Sequence, residues 1–283
     1  MSEAFSFLMC KPDYFGVSYV INPWMTENVN KASVDRAEAQ WQRLVTEIGA
    51  RARVEYVEPR PGLPDMPFTA NAGFVFDGIA IPSRFRCVER RGEEPFFDEW
   101  FSTHDFSMAY MPDGVPFEGA GDALIDRGAP RVWAAWGHRS AQESHDVLRR
   151  RLDVEVVSLR LVDERFYHLD TCFCPLEGGC VMYYPPAFDE ESNRVIERGI
   201  DAARRIAVDD ADALDFACNA VNISDAVLLN RASADLKERL AAFGLSTIEV
   251  DMTEFLKAGG AAKCLTLRLN EPRTGSSEEL RTA

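Results

Sequence analysis

The apolar positions along this chain follow two rhythms. Between about residues 33 and 48, Trp41, Leu44, Val45 and Ile48 recur at the spacing of one helical face, with Ser33 placed as the N-cap. The same period predicts a helix after Ser233 with Leu236, Leu240 and Phe243 inward. Further helices are expected over Ser144 to Leu152, around Asn193 to Arg205, and over Met252 to Ala258, where Gly259-Gly260 stops it. Between them fall short apolar runs read as strands: Val54 to Val57, Gly73 to Ile81, Arg131 to Ala134, Val154 to Leu159, Cys180 to Tyr184, Ala226 to Leu229, Thr247 to Val250 and Leu265 to Leu269. Asp77-Gly78 splits the second run into two arms of a hairpin. Paired short strands alternating with single helices make an α/β chain, and the hairpin signals exclude a purely parallel sheet.

No linker divides the sequence. The richest Pro/Gly stretch, Pro59 to Pro67, is short, and a strand-like run follows it. One domain over residues 1–273 is expected, with the polar segment 274–283 as a frayed tail. The 283 residues are 46% hydrophobic and 27% charged, as in an ordinary globular protein.

Charge narrows the function. Thirty-one lysines and arginines against 46 acids leave a net −15, a field that repels nucleic acid and anionic membranes. Nothing approaches a membrane span, and the start, MSEAFSFLMC, does not read as a secretory signal. Seven scattered cysteines argue for a reducing cytosol rather than a disulfide framework.

The chemistry-bearing residues are few. Cys264 follows the small-residue loop Gly259 to Ala262 and has Lys263 beside it, so it reads as an activated thiol or as a buried structural cysteine. Cys172 and Cys174 have C-x-C spacing but no second ligand pair nearby, so packing is the expected role. Of four histidines, His104 and His145 sit in polar, solvated contexts. His168 has Asp170 two residues on, which would put both on one strand face, as a catalytic pair or as a hydrogen-bonded core histidine. Glu118 and Asp122 flank glycines, and Asp65 lies among Pro, Met and Phe as a turn carboxylate or a cation ligand. Phosphate-loop and dinucleotide fingerprints are absent.

Taken in order, the segments Leu63-Pro64-Asp65, Phe68-Thr69-Ala70-Asn71, Arg90-Arg91-Gly92-Glu93, Glu118-Gly119 to Asp122, His168-Leu169-Asp170-Thr171, and Gly259-Gly260 before Cys264 resemble the guanidino-group-modifying superfamily, the penteins, over about residues 9–272. Arginine deiminase, dimethylarginine dimethylaminohydrolase and the amidinotransferases belong to it. The resemblance implies five ββαβ modules about a pseudo-fivefold axis, with the site in the central channel. It implies Cys264 as nucleophile, His168 as proton-transfer group and Glu118 as its orienter or as a guanidinium ligand. Asp170, with Asp65 and Asp122, would bind substrate, and Arg90 and Arg139 would hold an α-carboxylate. No metal or organic cofactor is implied.

Deiminases and dimethylaminohydrolases carry aspartate where this chain has Asn71. That departure, with Tyr19 to Met25 and Phe216 to Asn222, resembles the arginine dihydrolases found alone or fused to other domains in cyanobacteria, which convert arginine to ornithine, ammonia and carbon dioxide. Asn22 and Asn71 would then meet a neutral ureido group with amides, although Asn22 before Pro23 also reads as a turn residue. A dimethylargininase or deiminase stopping at citrulline, an amidinotransferase, and a non-catalytic binding module are the alternatives. The sequence leaves the assembly state open, a homo-oligomer included.

Overall fold

A computed structural model describes residues 5–271. The segment 274–283, expected to fray, lies outside them. Among the described residues, fifteen strands form five three-stranded sheets. The second consists of β3 (Gly73–Phe76), β4 (Ile79–Pro82) and β5 (Ser107–Met108). β3 and β4 form an antiparallel hairpin, and helix α2 (Glu94–Ser102) leads to β5, parallel to β4. Asp77 and Gly78 both have positive φ, 51° and 75°, as the turn in that hairpin requires.

The pattern recurs around the molecule. β6 (Ala123–Ile125), β7 (Arg131–Trp136), α3 (Glu143–Leu152) and β8 (Glu155–Arg160) form the third module. β9 (Phe173–Leu176), β10 (Cys180–Tyr183), α4 (Glu190–Gly199) and β11 (Arg205–Ala207) form the fourth. A short helix α5 (Asp210–Leu214) leads into the fifth, made of β12 (Val221–Ile223), β13 (Ala226–Leu229), α6 (Ala234–Ala241) and β14 (Ser246–Glu249). The first module is closed by the two ends of the described chain. After α7 (Thr253–Leu256), β15 (Leu267–Arg268) pairs antiparallel with β1 (Ser6–Cys10), and β1 pairs in parallel with β2 (Arg53–Val57) after α1 (Val34–Gly49). This is the pentein arrangement of five ββαβ units.

Burial explains the layering. β3, β6, β12 and β15 are buried at every position, whereas β2 and β14 are mostly exposed or half-buried. First strands are therefore innermost, and helices pack outside: α1 on β2, α3 on β8 and α6 on β14. Ser33 caps α1, accepting from Arg36 N at 3.4 Å, and Trp41, Leu44, Val45 and Ile48 are all buried. No helix among the described residues is long and apolar enough to cross a membrane.

Three readings need correction. Phe243 lies beyond the end of α6 and is 40% exposed, because the helix stops one residue before the turn at Ala242 to Gly244. The fourth helix begins at Glu190, capped by Asp189, and ends at Gly199; residues 202–207 instead turn and join a sheet. His145 is buried, bonded to Ser158 Oγ at 2.8 Å and to the Ala135 carbonyl at 3.2 Å, since α3 turns that face onto β7 and β8.

Candidate active site

The tight turn before each innermost strand carries the polar residues of the centre. Thr69–Asn71 precedes β3, Gly119–Gly121 precedes β6, and Leu169–Thr171 precedes β9. Asn219 lies just before β12, and Cys264 in the turn before β15. Fivefold repetition thus brings residues scattered over nearly two hundred positions to one end of the axis. At that end lies a cavity whose walls include Asn22, Asp65, Asn71, Arg90, Arg139, His168 and Cys264.

Cys264 is fully enclosed. Its Sγ donates weakly to both Asp170 oxygens at 3.6 Å and accepts from Asn219 Nδ2 at 3.1 Å. Burial, then the Asp170 charge, pushes the thiol well above its usual range, against the opposing pull of Lys263 and of hydrogen bonds from Ala261 and Asn219. Burial likewise raises Asp170 to about 6, although Lys263 and His168 draw it down. Asn219 was not singled out as a site residue from the sequence, yet it pins the centre. Its Oδ1 accepts from Ala261 N and Cys264 N, both at 3.1 Å, and its Nδ2 also donates to the Asp170 carbonyl at 2.9 Å. Its signal was present in Phe216-Ala217-Cys218-Asn219, a segment of the same cast as Phe68-Thr69-Ala70-Asn71.

His168 is not on a strand with Asp170. It is the extended residue preceding a turn, and its Nε2 donates to Glu118 Oε2 at 2.7 Å. Burial would raise Glu118, but Arg139, then the bond to His168, hold it well below the usual carboxylate range. Arg139 Nη1 donates to the same oxygen at 3.1 Å and Nη2 to the Ile21 carbonyl at 2.9 Å, with its guanidinium 4.5 Å over the Tyr167 ring. Gly121 is required here: a Cβ would come within 2.3 Å of Asn71 Nδ2 and 3.3 Å of the His168 ring.

The second arginine belongs to another cluster. Arg90 is held by both oxygens of Glu93, at 2.9 and 2.8 Å, and by the Asp65 carbonyl at 3.2 Å. It donates to Asn71 Oδ1 at 2.8 Å, while Asn71 Nδ2 donates to the Glu118 carbonyl at 3.0 Å. Asp65 Oδ2 accepts from Tyr19 at 2.8 Å, and its Oδ1 is buried without a hydrogen-bond partner among the described residues. Burial raises this carboxyl in spite of Arg90. The open oxygen belongs to a residue of the cavity wall, where it suits a cationic ligand.

Two expected ligands have other work. Asp122 is outside the cavity wall: its Oδ2 accepts from Ser140 Oγ at 2.6 Å and Ser140 N at 3.2 Å, and its Oδ1 from Leu169 N at 3.1 Å, which fixes the turn after His168. Asn22 lines the cavity but also caps the turn Pro23–Met25, accepting from Met25 N at 3.3 Å and donating to the Ala258 carbonyl at 3.0 Å. Cys172 and Cys174 are buried with their thiols on backbone carbonyls.

Comparison with known proteins agrees with this geometry. The bifunctional arginine dihydrolase/ornithine cyclodeaminase ArgZ of Synechocystis sp. is 55% identical over 272 residues, 96% of this chain but 39% of its own length. The chain therefore spans about two fifths of that relative. A crystal structure of the N-terminal domain of ArgZ, an arginine dihydrolase, in its C264S form bound to substrate superposes with a TM-score of 0.94 at 55% identity, covering 95% of this chain and 99% of that one. The N71S form of that domain, covalently bonded to a reaction intermediate, matches at the same TM-score of 0.94 and 55% identity, covering 95% of this chain and 98% of that one. The profile of the family described as N,N dimethylarginine dimethylhydrolase, eukaryotic, matches residues 13–270, and the chain belongs to that family of penteins.

Proposed function

We propose that the chain is an arginine dihydrolase, hydrolysing L-arginine to ornithine, two ammonia molecules and carbon dioxide. The observation that carries this reading is that Cys264, whose thiol touches the Asp170 carboxyl, and His168, which bonds Glu118, line one cavity together with Asp65, one of whose oxygens has no hydrogen-bond partner among the described residues. The substrate and intermediate complexes of a relative matching nearly the whole chain support it.

In this mechanism the guanidinium binds with Asp170 and Asp65 as its carboxylate partners. Its positive charge offsets the burial that keeps the thiol protonated. The Cys264 thiolate attacks the guanidinium carbon, and a C–N bond breaks as ammonia leaves with a proton from His168. Water deprotonated by His168 then displaces the sulfur and leaves citrulline. A second attack on the neutral ureido carbon expels the second ammonia, and a second water frees a carbamate that falls to ornithine and carbon dioxide. Two waters enter, and two ammonias and one carbon dioxide leave. Glu118 orients His168. Asp122 is a positioning residue acting through the His168 turn. Arg90 and Arg139 are assigned to the α-carboxylate, and the amides of Asn22 and Asn71 to the neutral ureido stage.

The test is product identity. With guanidino-carbon-labelled L-arginine, labelled carbon dioxide and ornithine are expected with two equivalents of ammonia. Labelled citrulline as the final product would overturn the reading in favour of a deiminase. The matched family profile supports a second reading, a dimethylargininase, which would release methylated amine from a dimethylated arginine far faster than ammonia from arginine.

The raised Asp170 carboxyl sets a pH dependence. Its ionisation, ordinarily complete well below pH 5, is delayed to about 6, so the fold favours the neutral acid and loses stability as pH rises from about 4 to 6. Binding a guanidinium needs the ionised form. The kcat/KM for arginine is expected to climb tenfold per unit below about pH 6 and level above it. A profile flat down to pH 5 would contradict the role given to Asp170.

A further inference from the structure

A second cavity lies further along the same innermost strands. Its wall is largely apolar, with Phe7, Phe74, Leu124, Phe173, Val221 and Leu267 from six different strands. Three cations, Arg127, Lys263 and Arg268, share that wall with one acid, Glu271, which leaves two positive charges in surplus. Arg127 and Glu271 satisfy one another through two bonds of 2.5 and 2.8 Å.

Arg268 is not satisfied. Its side chain is 9% exposed, and its Nε lies 3.5 Å from Glu271. Both Nε and Nη1 are buried with no hydrogen-bond acceptor among the described residues. The guanidinium stacks 4.3 Å over the Phe5 ring. Lys263 Nζ has the Ala120 carbonyl at a long 3.4 Å. Buried N–H groups of a charged side chain without acceptors are costly, and a fold retains them at little disadvantage where an anion fills the gap.

We propose that this cavity is a binding site for a small carboxylate with an apolar body, its charged end on Arg268 and Lys263 and its hydrocarbon against the phenylalanine rings. The apolar wall favours such a molecule over a strongly hydrated inorganic oxyanion, for which it offers few donors. Lys263 joins this site to the first cavity. It precedes Cys264 in the chain, and its charge is the largest influence drawing Asp170 down. A carboxylate seated on Lys263 offsets that charge. Occupancy therefore shifts the acid limb of activity to higher pH, a consequence that rests on the proposed chemistry, whereas the binding itself does not.

The test is calorimetric titration of the intact chain with hexanoate at fixed ionic strength, with hexanamide and sulfate in parallel. Saturable hexanoate binding is expected, at least tenfold weaker for hexanamide and for sulfate. Arg268→Gln should weaken hexanoate at least tenfold while leaving KM for arginine unchanged. In the unsubstituted chain, nuclear Overhauser contacts from the hexanoate methyl to the rings of Phe74 and Phe173 are expected, which keeps the test independent of how well the variant folds. Equal binding of hexanamide, undiminished binding to a folded Arg268→Gln, displacement of hexanoate by ornithine, or absent ring contacts would each overturn the site.

Discussion

Cys264→Ala is expected to abolish ammonia release from arginine, by on the order of 10⁴-fold or more, while arginine still binds. The sulfur is the one strong nucleophile at the wall of the first cavity, so its removal takes away the bond-forming group and not only a contact. What remains should hold substrate well. Asp65, Arg90, Arg139 and the His168–Glu118 pair owe none of their hydrogen bonds to the thiol. Folding should survive too, because Asn219 keeps its bonds to the backbone of Ala261, Cys264 and Asp170. Calorimetry with arginine beside an ammonia assay checks both halves. Ammonia released at the unsubstituted rate would sink the covalent mechanism. Loss of binding together with loss of turnover would mean that the thiol is structural.

The second large effect concerns how far the reaction goes. Asn71→Asp is expected to make citrulline the main product, with the ratio of ornithine to citrulline falling ten- to hundredfold. Asn71 bridges two parts of the wall, accepting from Arg90 and donating to the carbonyl of Glu118. An aspartate keeps the first bond and replaces the second with two oxygens facing each other. A lost hydrogen bond of this kind is worth ~1–3 kcal/mol, which sets the range given. The added charge attracts a guanidinium and repels the oxygen of a neutral ureido group, so the first attack suffers less than the second. Chromatography of products over time decides the matter: a burst of citrulline that is never consumed is the expected trace, and ornithine formed without citrulline would exclude Asn71 from the choice.

Much of the architecture was legible in the chain because its outer parts obey simple periods. α1 has one wet and one dry face, and β4, β7 and β13 are apolar runs next to turn residues. Three of the five innermost strands were not legible, for the opposite reason. β6, β9 and β12 are short and buried on nearly all sides, so no alternation marks them, and β9 announced itself only as a C-x-C spacing. The third strands β5 and β11 have two and three residues, too few for any pattern. At the site, residue types pointed to the chemistry but not to the partnerships. His168 and Asp170 look like a pair two residues apart, yet a tight turn sends one to Glu118 and the other to Cys264, 50 and 94 positions away. Asp122 resembled a substrate ligand because an acid just after a glycine turn shows no partner beside it; Ser140 from its own module and Leu169 from the next supply the partners.

The antiparallel pairing of β15 with β1 has a kinetic meaning as well. A chain leaving the ribosome can build the second, third, fourth and fifth sheets from neighbouring segments as each emerges. The first sheet must wait, with β1 exposing an unpaired edge until Leu267–Arg268 arrives some 260 residues later. Cys264 comes on the same late segment, three residues before that strand. The thiol proposed as nucleophile therefore joins its cavity only in the act that seals the ring, and under that mechanism a chain stalled short of closure carries most of the binding groups but none of the reactivity. On that proposal, catalytic competence is a readout of completed assembly.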